Sequence, residues 1–129
     1  MKTDKIFNLT APYNNQYQGN YPRILFVCSV GMLRSATAAT LASSRNINAR
    51  CCGTDDVALV RLSVNLILWA DKIVFVNSTN YQKALRDFEA VDYDMDIKEK
   101  KIVWNIDDDY DYMDESLCRI VNKYLDSML

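Results

Sequence analysis

Cys28 and Arg34 are separated by the five residues Ser29-Val30-Gly31-Met32-Leu33, and Ser35 follows directly. A thiolate is a strong nucleophile, and an arginine presents a planar fork of donors that matches phosphate oxygens. Five residues between them can wrap their backbone N–H groups around an anion. Ser35 can add a hydroxyl hydrogen bond to the sulfur. These residue types in this order suit attack of a thiolate on a bound phosphoryl group. The bare spacing recurs by chance in many chains, so the flanking sequence has to decide.

Such an attack needs an acid to protonate the leaving oxygen. The chain has no histidine, which removes Ser-His-Asp triads, Cys-His pairs and His-based zinc sites together. The remaining donors are carboxylic acids. Asn105-Ile-Asp-Asp-Asp-Tyr-Asp-Tyr112 supplies Asp107, Asp108, Asp109 and Asp111 within one short stretch, and crowded like charges help a carboxyl group keep a proton. A calcium loop starting at Asp107 is excluded, because it needs Gly at the position of Tyr112 and Glu at that of Cys118. A solvated acidic loop is the plainer alternative.

The elements around these residues are legible. Arg23-Ile-Leu-Phe-Val27 is a short apolar run of the kind that forms a buried strand. Ser35 to Asn46 is rich in Ala, Leu and Ser, which predicts a helix with Ser35 as its N-cap. The nucleophile therefore follows a strand, and the loop after it turns into a helix whose dipole adds positive potential and favours a thiolate. Further on, the pattern predicts a strand over Ile47–Cys51 and a turn over Cys52–Asp55. Apolar spacing then predicts a helix between Val57 and Ala70. A strand over Ile73–Val76, a helix over Thr79–Glu89 capped by Ser78, and a strand over Lys101–Trp104 follow. Asp114 caps a final helix reaching about Ser127. Strands alternating with helices imply an α/β fold with a parallel sheet covered on both faces. Ligands bind such sheets beyond the carboxyl ends of the strands, where Cys28 and the acidic stretch both fall.

Residues 1–22 differ from the rest. They are polar, turn-rich and unpatterned, with Tyr13, Tyr17 and Tyr21, and are expected to form an arm before a domain spanning 23–129. At 129 residues the chain fits one domain. A formal net charge of −2 gives no reason to expect nucleic acid. No apolar run approaches the roughly 20 residues that span a bilayer, and no secretory signal opens the chain. The expectation is a cytoplasmic protein whose four cysteines (Cys28, Cys51, Cys52, Cys118) are reduced thiols. The Walker and dinucleotide glycine fingerprints are both missing.

At these residues the chain resembles the low-molecular-weight protein tyrosine phosphatases, in particular a compact bacterial and phage-type branch of predicted tyrosine phosphatases. The resemblance runs from about Arg23 to Leu125. It is carried by Leu25-Phe-Val-Cys28, Arg34-Ser35, Cys52-Gly-Thr54, Leu68-Trp-Ala-Asp71 and Ile106 to Asp114. It implies a three-layer fold with a four-stranded parallel sheet, and a two-step reaction through a cysteinyl-phosphate with no metal or other cofactor. Cys28 matches the nucleophile, Arg34 the phosphate-binding arginine and Ser35 the hydroxyl that supports the thiolate. Ser29, Val30, Gly31, Met32 and Leu33 match the phosphate-binding loop. Ile106-Asp-Asp-Asp-Tyr110 places the general acid on Asp108 and an aromatic cleft wall on Tyr110, with Asp107 and Asp109 as runners-up. The sequence departs from the family pattern at Gly31, usually Asn, and at Leu33, often a second cysteine. It departs again at Ala36 and Asp107, both commonly Pro.

The expected partner is a phosphorylated protein, phosphotyrosine by resemblance, or a small phosphomonoester such as a metabolite or nucleotide. Two other uses of the loop stay open. One is a non-catalytic module that binds phosphate or phosphoprotein. The other is arsenate reduction, which needs two further cysteines in relay, and Cys51 and Cys52 lie in a different stretch from the usual pair. Trp69 and Trp104 are expected in the core, and Cys118 as a buried apolar thiol. Tyr112 is expected either beside the cleft or against the last helix.

Overall fold

The computed structural model describes residues 21–128. The expected arm therefore lies outside the described residues except for its last two, Tyr21 and Pro22, which are exposed and lead into the first strand. The elements in chain order are β1 (Arg23–Cys28), α1 (Arg34–Ser43), β2 (Asn48–Gly53), α2 (Val64–Trp69), β3 (Lys72–Phe75), α3 (Ser78–Glu89), α4 (Asp94–Lys100), β4 (Lys101–Val103) and α5 (Glu115–Met128). The four strands form one parallel sheet in the order β2-β1-β3-β4. This is the three-layer α/β architecture that the alternating pattern predicts.

Side chains alternate across β1 as a pleated strand requires. Ile24, Phe26 and Cys28 join a core with α1 and α5 that includes Ala38, Ala42, Leu117, Val121 and Leu125. Leu25 and Val27 join the opposite core, with Leu66, Ile67 and Trp69 of α2, Ala84 of α3 and Ile97 of α4. Burial on both faces explains why β1 and β3 read as unbroken apolar runs. Trp69 and Trp104 are both buried, as expected. Trp104 stacks on Tyr124 of α5, with ring centroids 4.8 Å apart. Cys118 is only partly buried on α5.

Several boundaries differ from the sequence reading, each for a local reason. The first helix starts at Arg34, and Ser35 is inside its first turn instead of capping it; Leu33 holds the N-cap position without a side-chain cap. The strand expected over 47–51 runs to Gly53, because Cys52 and Gly53 pair with Val27 and Cys28. The helix expected from Val57 shrinks to Val64–Trp69, where the Ser63 side chain accepts from Leu66 N. Residues 54–62 instead loop back onto the end of β2, through Gly53 N to Val60 O (2.9 Å) and Leu62 N to Gly53 O (2.9 Å). Asn77, not Ser78, caps α3, its side chain accepting from Thr79 N. Helix α4 is absent from the sequence reading, since its seven residues are mostly charged and bury only Ile97. Asp114 caps α5 as expected, accepting from Leu117 N at 3.1 Å.

Candidate active site

The parallel sheet delivers three loops to one edge. They follow β1, β2 and β4, and Cys28 sits at the foot of the first. Its sulfur is buried and meets two hydrogen-bond partners. Gly31 N donates to Cys28 Sγ at 3.1 Å, and Ser35 Oγ lies 3.0 Å away. The loop bends back on itself because Gly31 takes φ +76°, a left-handed conformation that favours glycine. A Cβ there would also lie 2.9 Å from the Cys52 carbonyl carbon and 3.0 Å from Gly53 N. Both the turn and the close approach to β2 therefore require glycine at this position, where the resemblance leads one to expect Asn.

The loop is held to the chain after β2 by backbone hydrogen bonds. Thr54 N donates to Cys28 O (3.0 Å), Asp55 N to Ser29 O (2.9 Å) and Leu59 N to Val30 O (3.3 Å). Gly53 makes that seam possible. An added Cβ would collide with Ser29 O and would sit 2.7 Å from both the Val30 carbonyl carbon and Ala58 Cβ. A Gly53→Ala substitution must push the loop off the sheet edge. We expect a loss of about 1–3 kcal/mol in urea unfolding, together with loss of inorganic phosphate binding. Unchanged stability and phosphate binding would show that the seam does not shape the loop.

Arg34, the first residue of α1, is buried, and its guanidinium is aimed by the chain after β4. Ile106 N donates to Val76 O (2.9 Å), which extends that chain beside the end of β3. The Ile106 carbonyl in turn accepts Arg34 Nη1 at 2.8 Å. Arg34 Nη2 lies 3.3 Å from Asp108 Oδ1. Cys28, Ser29, Val30, Leu33, Arg34, Asp55 and Asp108 together line a cavity of about 170 Å³. The first N–H groups of α1 have no side-chain cap, so they remain available to an anion at this end of the helix.

The structure thus brings Cys28, Ser29, Val30, Leu33, Arg34 and Asp108 to one cavity, with Gly31 and Ser35 on the sulfur beneath it. Met32 points away. It is half exposed and lines a neighbouring groove of about 450 Å³ with Gly31, Ala36, Leu59 and Tyr112 among others. Tyr110 does not line the cavity; it packs against the core beside α1 and α5. Asp107 and Asp109 are exposed and also lie outside the cavity. Tyr112 meets α1 through a 3.1 Å contact between its hydroxyl and Thr40 Oγ1, and so flanks the groove instead of packing on the last helix.

Other supporting residues carry no signal in the sequence. Asn80 of α3 is buried and donates from Nδ2 to Ser29 Oγ at 3.1 Å, bracing the loop from outside. Thr37, also buried, accepts Met113 N at 2.8 Å and docks the acidic loop onto α1. Asp55 stands in the cavity wall. Its Asp-Asp setting shortly after a glycine is legible in the sequence only as a turn.

Burial, then the nearby Cys51 and Cys28, push the Cys52 thiol well above its ordinary range. Burial and Cys28 push Cys51 up as well. Cys52 also points into the opposite core from Cys28, and neither Cys51 nor Cys52 lines the cavity over Cys28. Among the described residues, no three His, Cys, Asp or Glu side chains are grouped to hold a metal ion. Among the same residues, no helix is long and apolar enough to cross a membrane.

No protein-family model matches the sequence, and no curated protein matches it significantly. Solved structures do match the fold. The YwlE arginine phosphatase from Geobacillus stearothermophilus superposes with a TM-score of 0.63 at 16% identity, covering 83% of this chain and 92% of that one. SP-PTP, a low molecular weight protein tyrosine phosphatase from Streptococcus pyogenes, superposes with a TM-score of 0.62 at 14% identity, covering 84% and 93%. A YwlE mutant with a phosphorylated active-site serine superposes with a TM-score of 0.59 at 14% identity, covering 82% and 95%.

Proposed function

The chain has the fold of the low-molecular-weight protein tyrosine phosphatases, and from that premise we propose that it is a cysteine-dependent phosphatase of phosphomonoesters, acting on phosphotyrosine in proteins. The observation that carries this reading is the convergence at Cys28: Gly31 N and Ser35 Oγ on its sulfur, and Arg34 and Asp108 lining the cavity with it. Donors placed on the sulfur and on the phosphoryl oxygens act where charge sits during transfer, which is the largest source of catalysis in such sites.

The reaction then runs in two steps. A phosphoryl group enters the cavity, and its oxygens take the loop N–H groups and Arg34 Nη2, displacing Asp108 from the guanidinium. The Cys28 thiolate attacks phosphorus. The S–P bond forms as the P–O bond to the leaving group breaks, and Asp108 gives its proton to the leaving oxygen. Water then attacks phosphorus in the cysteinyl-phosphate as Asp108 takes its proton; the S–P bond breaks, inorganic phosphate leaves and the thiolate is restored on Cys28. Ser35 Oγ donates to the sulfur while it is charged. Its second neighbour, Cys52 O, lies farther away at 3.4 Å.

Protein phosphotyrosine fits the surroundings better than a small metabolite. The groove beside the phosphate loop has apolar walls from Met32 and Leu59 and an aromatic one from Tyr112, which suits a peptide lying across the loop. The structural neighbours include an arginine phosphatase and a protein tyrosine phosphatase, in keeping with a phosphorylated partner.

Hydrolysis of para-nitrophenyl phosphate and of phenyl phosphate by wild type and Asp108→Asn tests the assignment. The variant should lose about 10²–10⁴-fold on the poor leaving group and much less on the good one. Equal losses on both, or a crippled Asp107→Asn beside a healthy Asp108→Asn, would move the acid elsewhere. A folded, reduced wild type that binds phosphate and turns over neither substrate would instead mark a phosphate-binding module.

A further inference from the structure

The cavity over Cys28 has a second carboxylate in its wall. Asp55 follows β2, and its backbone is fixed against the phosphate loop. Its N–H donates to Ser29 O at 2.9 Å, and its carbonyl accepts Ala58 N at 3.1 Å. The half-buried side chain lines the cavity with Cys28, Arg34 and Asp108. Among the described residues it makes no hydrogen bond or ion pair. The flanking basic residues along the chain are engaged elsewhere, Arg61 with Asp56 at 3.1 Å and Arg50 over the Trp69 ring at 4.2 Å. The cavity therefore holds one guanidinium, and that guanidinium is already bound to the Ile106 carbonyl and faces Asp108.

A carboxylate beside an anion site works against the anion unless a further positive charge joins them. Arg34 alone has to face the thiolate and the phosphoryl group. Among the described residues the cavity wall offers no other cation. The acidic loop adds more negative charge, since Asp107 and Asp109 are both exposed beside Asp108.

We propose that Asp55 is a specificity-determining residue that selects phosphoryl groups carried next to a positive charge. The cation is the ammonium or guanidinium of a basic side chain within a few ångströms of the phosphorus, and it pairs with Asp55 as the phosphoryl group seats on Arg34. Two sources share that chemistry: a Lys or Arg adjacent to a phosphotyrosine, and a phosphorylated guanidine whose own leaving group is cationic. The inference rests on the reading of this cavity as the phosphoryl site. It adds that substrate charge, and not only the phosphoryl group, is recognised there.

The test compares kcat/KM for two phosphotyrosyl peptides that differ only in Lys or Glu beside the phosphotyrosine, and for a phosphoarginine peptide. Wild type, Asp55→Asn and Asp55→Lys are each measured. Wild type should prefer the Lys peptide by about 10-fold, the equivalent of one well-placed charge pair. The preference should fall towards one in Asp55→Asn and invert in Asp55→Lys. Hydrolysis of the phosphoarginine peptide that also depends on Asp55 would place the cation on the leaving group. Its absence, with the Lys preference intact, would place the cation on the flanking residue. Equal rates on the two phosphotyrosyl peptides in wild type without Asp55-dependent hydrolysis of the phosphoarginine peptide, or a Lys preference that survives in Asp55→Asn, would overturn the proposal. If wild type turns over no substrate, the phosphatase reading fails separately. The ratio of peptide dissociation constants for wild type and Asp55→Asn then decides the role of Asp55.

Discussion

Cys28→Ser is expected to abolish turnover of every phosphomonoester while retaining binding of inorganic phosphate. The serine oxygen can still accept from Gly31 N and exchange a hydrogen bond with Ser35, the two contacts that hold the sulfur at 3.1 and 3.0 Å. The loop, Arg34 and the Asp108 side of the cavity are untouched, so the anion site persists. What is lost is the nucleophile, because a serine hydroxyl without an adjacent base is a weak one and a poor leaving group in the second step. At most one slow phosphorylation should occur, with no release. Steady-state hydrolysis of para-nitrophenyl phosphate and phosphate titration by calorimetry check the two halves. Residual multiple turnover in Cys28→Ser would show that another group carries the chemistry.

Arg34→Lys is expected to lower kcat/KM by about 10³–10⁵-fold, the range over which a phosphate-clamping arginine acts. The guanidinium does two things at once. Nη1 is tied to the Ile106 carbonyl at 2.8 Å, which orients the plane, and Nη2 faces the cavity. A lysine ammonium is a compact point charge that cannot hold a fixed fork. At 4% exposure it would also leave the Ile106 carbonyl short of a partner or the cavity short of a cation. Asn77 Nδ2 lies 3.4 Å from the same carbonyl, so the backbone there should hold and the variant should fold. Kinetics beside a thermal unfolding curve separate the two effects. A lysine variant within about tenfold of wild type would show that charge alone suffices and that the fork is not used.

The site is legible in the sequence where its parts are local. Strand, loop and helix around Cys28 follow from an apolar run, a five-residue gap and an Ala-rich stretch, and β1, the loop and α1 stand as those patterns require. The role of Asp108 comes from resemblance, and the structure puts its carboxylate beside Arg34. Residues that act across the fold leave no local mark. Asp55 reads as one more turn residue until the parallel pairing of β1 with β2 brings it against Ser29. Asn80 reads as a polar helix residue until α3 packs over the loop.

The segment after β2 departs from its sequence pattern for a physical cause as well. Val57, Val60 and Leu62 lie in a stretch with helical apolar spacing, yet Val57 is 81% exposed. Apart from one turn bond from Ala58 N to Asp55 O, the backbone of this stretch bonds to Val30 and Gly53. Local propensity yields there to the hydrogen bonds that fix the loop after Cys28. Helix α4 escapes notice for the opposite reason: charged residues dominate it, and a single buried isoleucine gives no periodicity to read.

The most direct test of the mechanism is to trap the intermediate. Wild type mixed with para-nitrophenyl phosphate at mildly acidic pH and quenched in acid within one turnover should carry a single phosphoryl group. Peptide mass spectrometry should place it on Cys28, with none on Cys51, Cys52 or Cys118. Product release without any phosphorylated Cys28, or a phosphoryl group found on another residue, would contradict the mechanism.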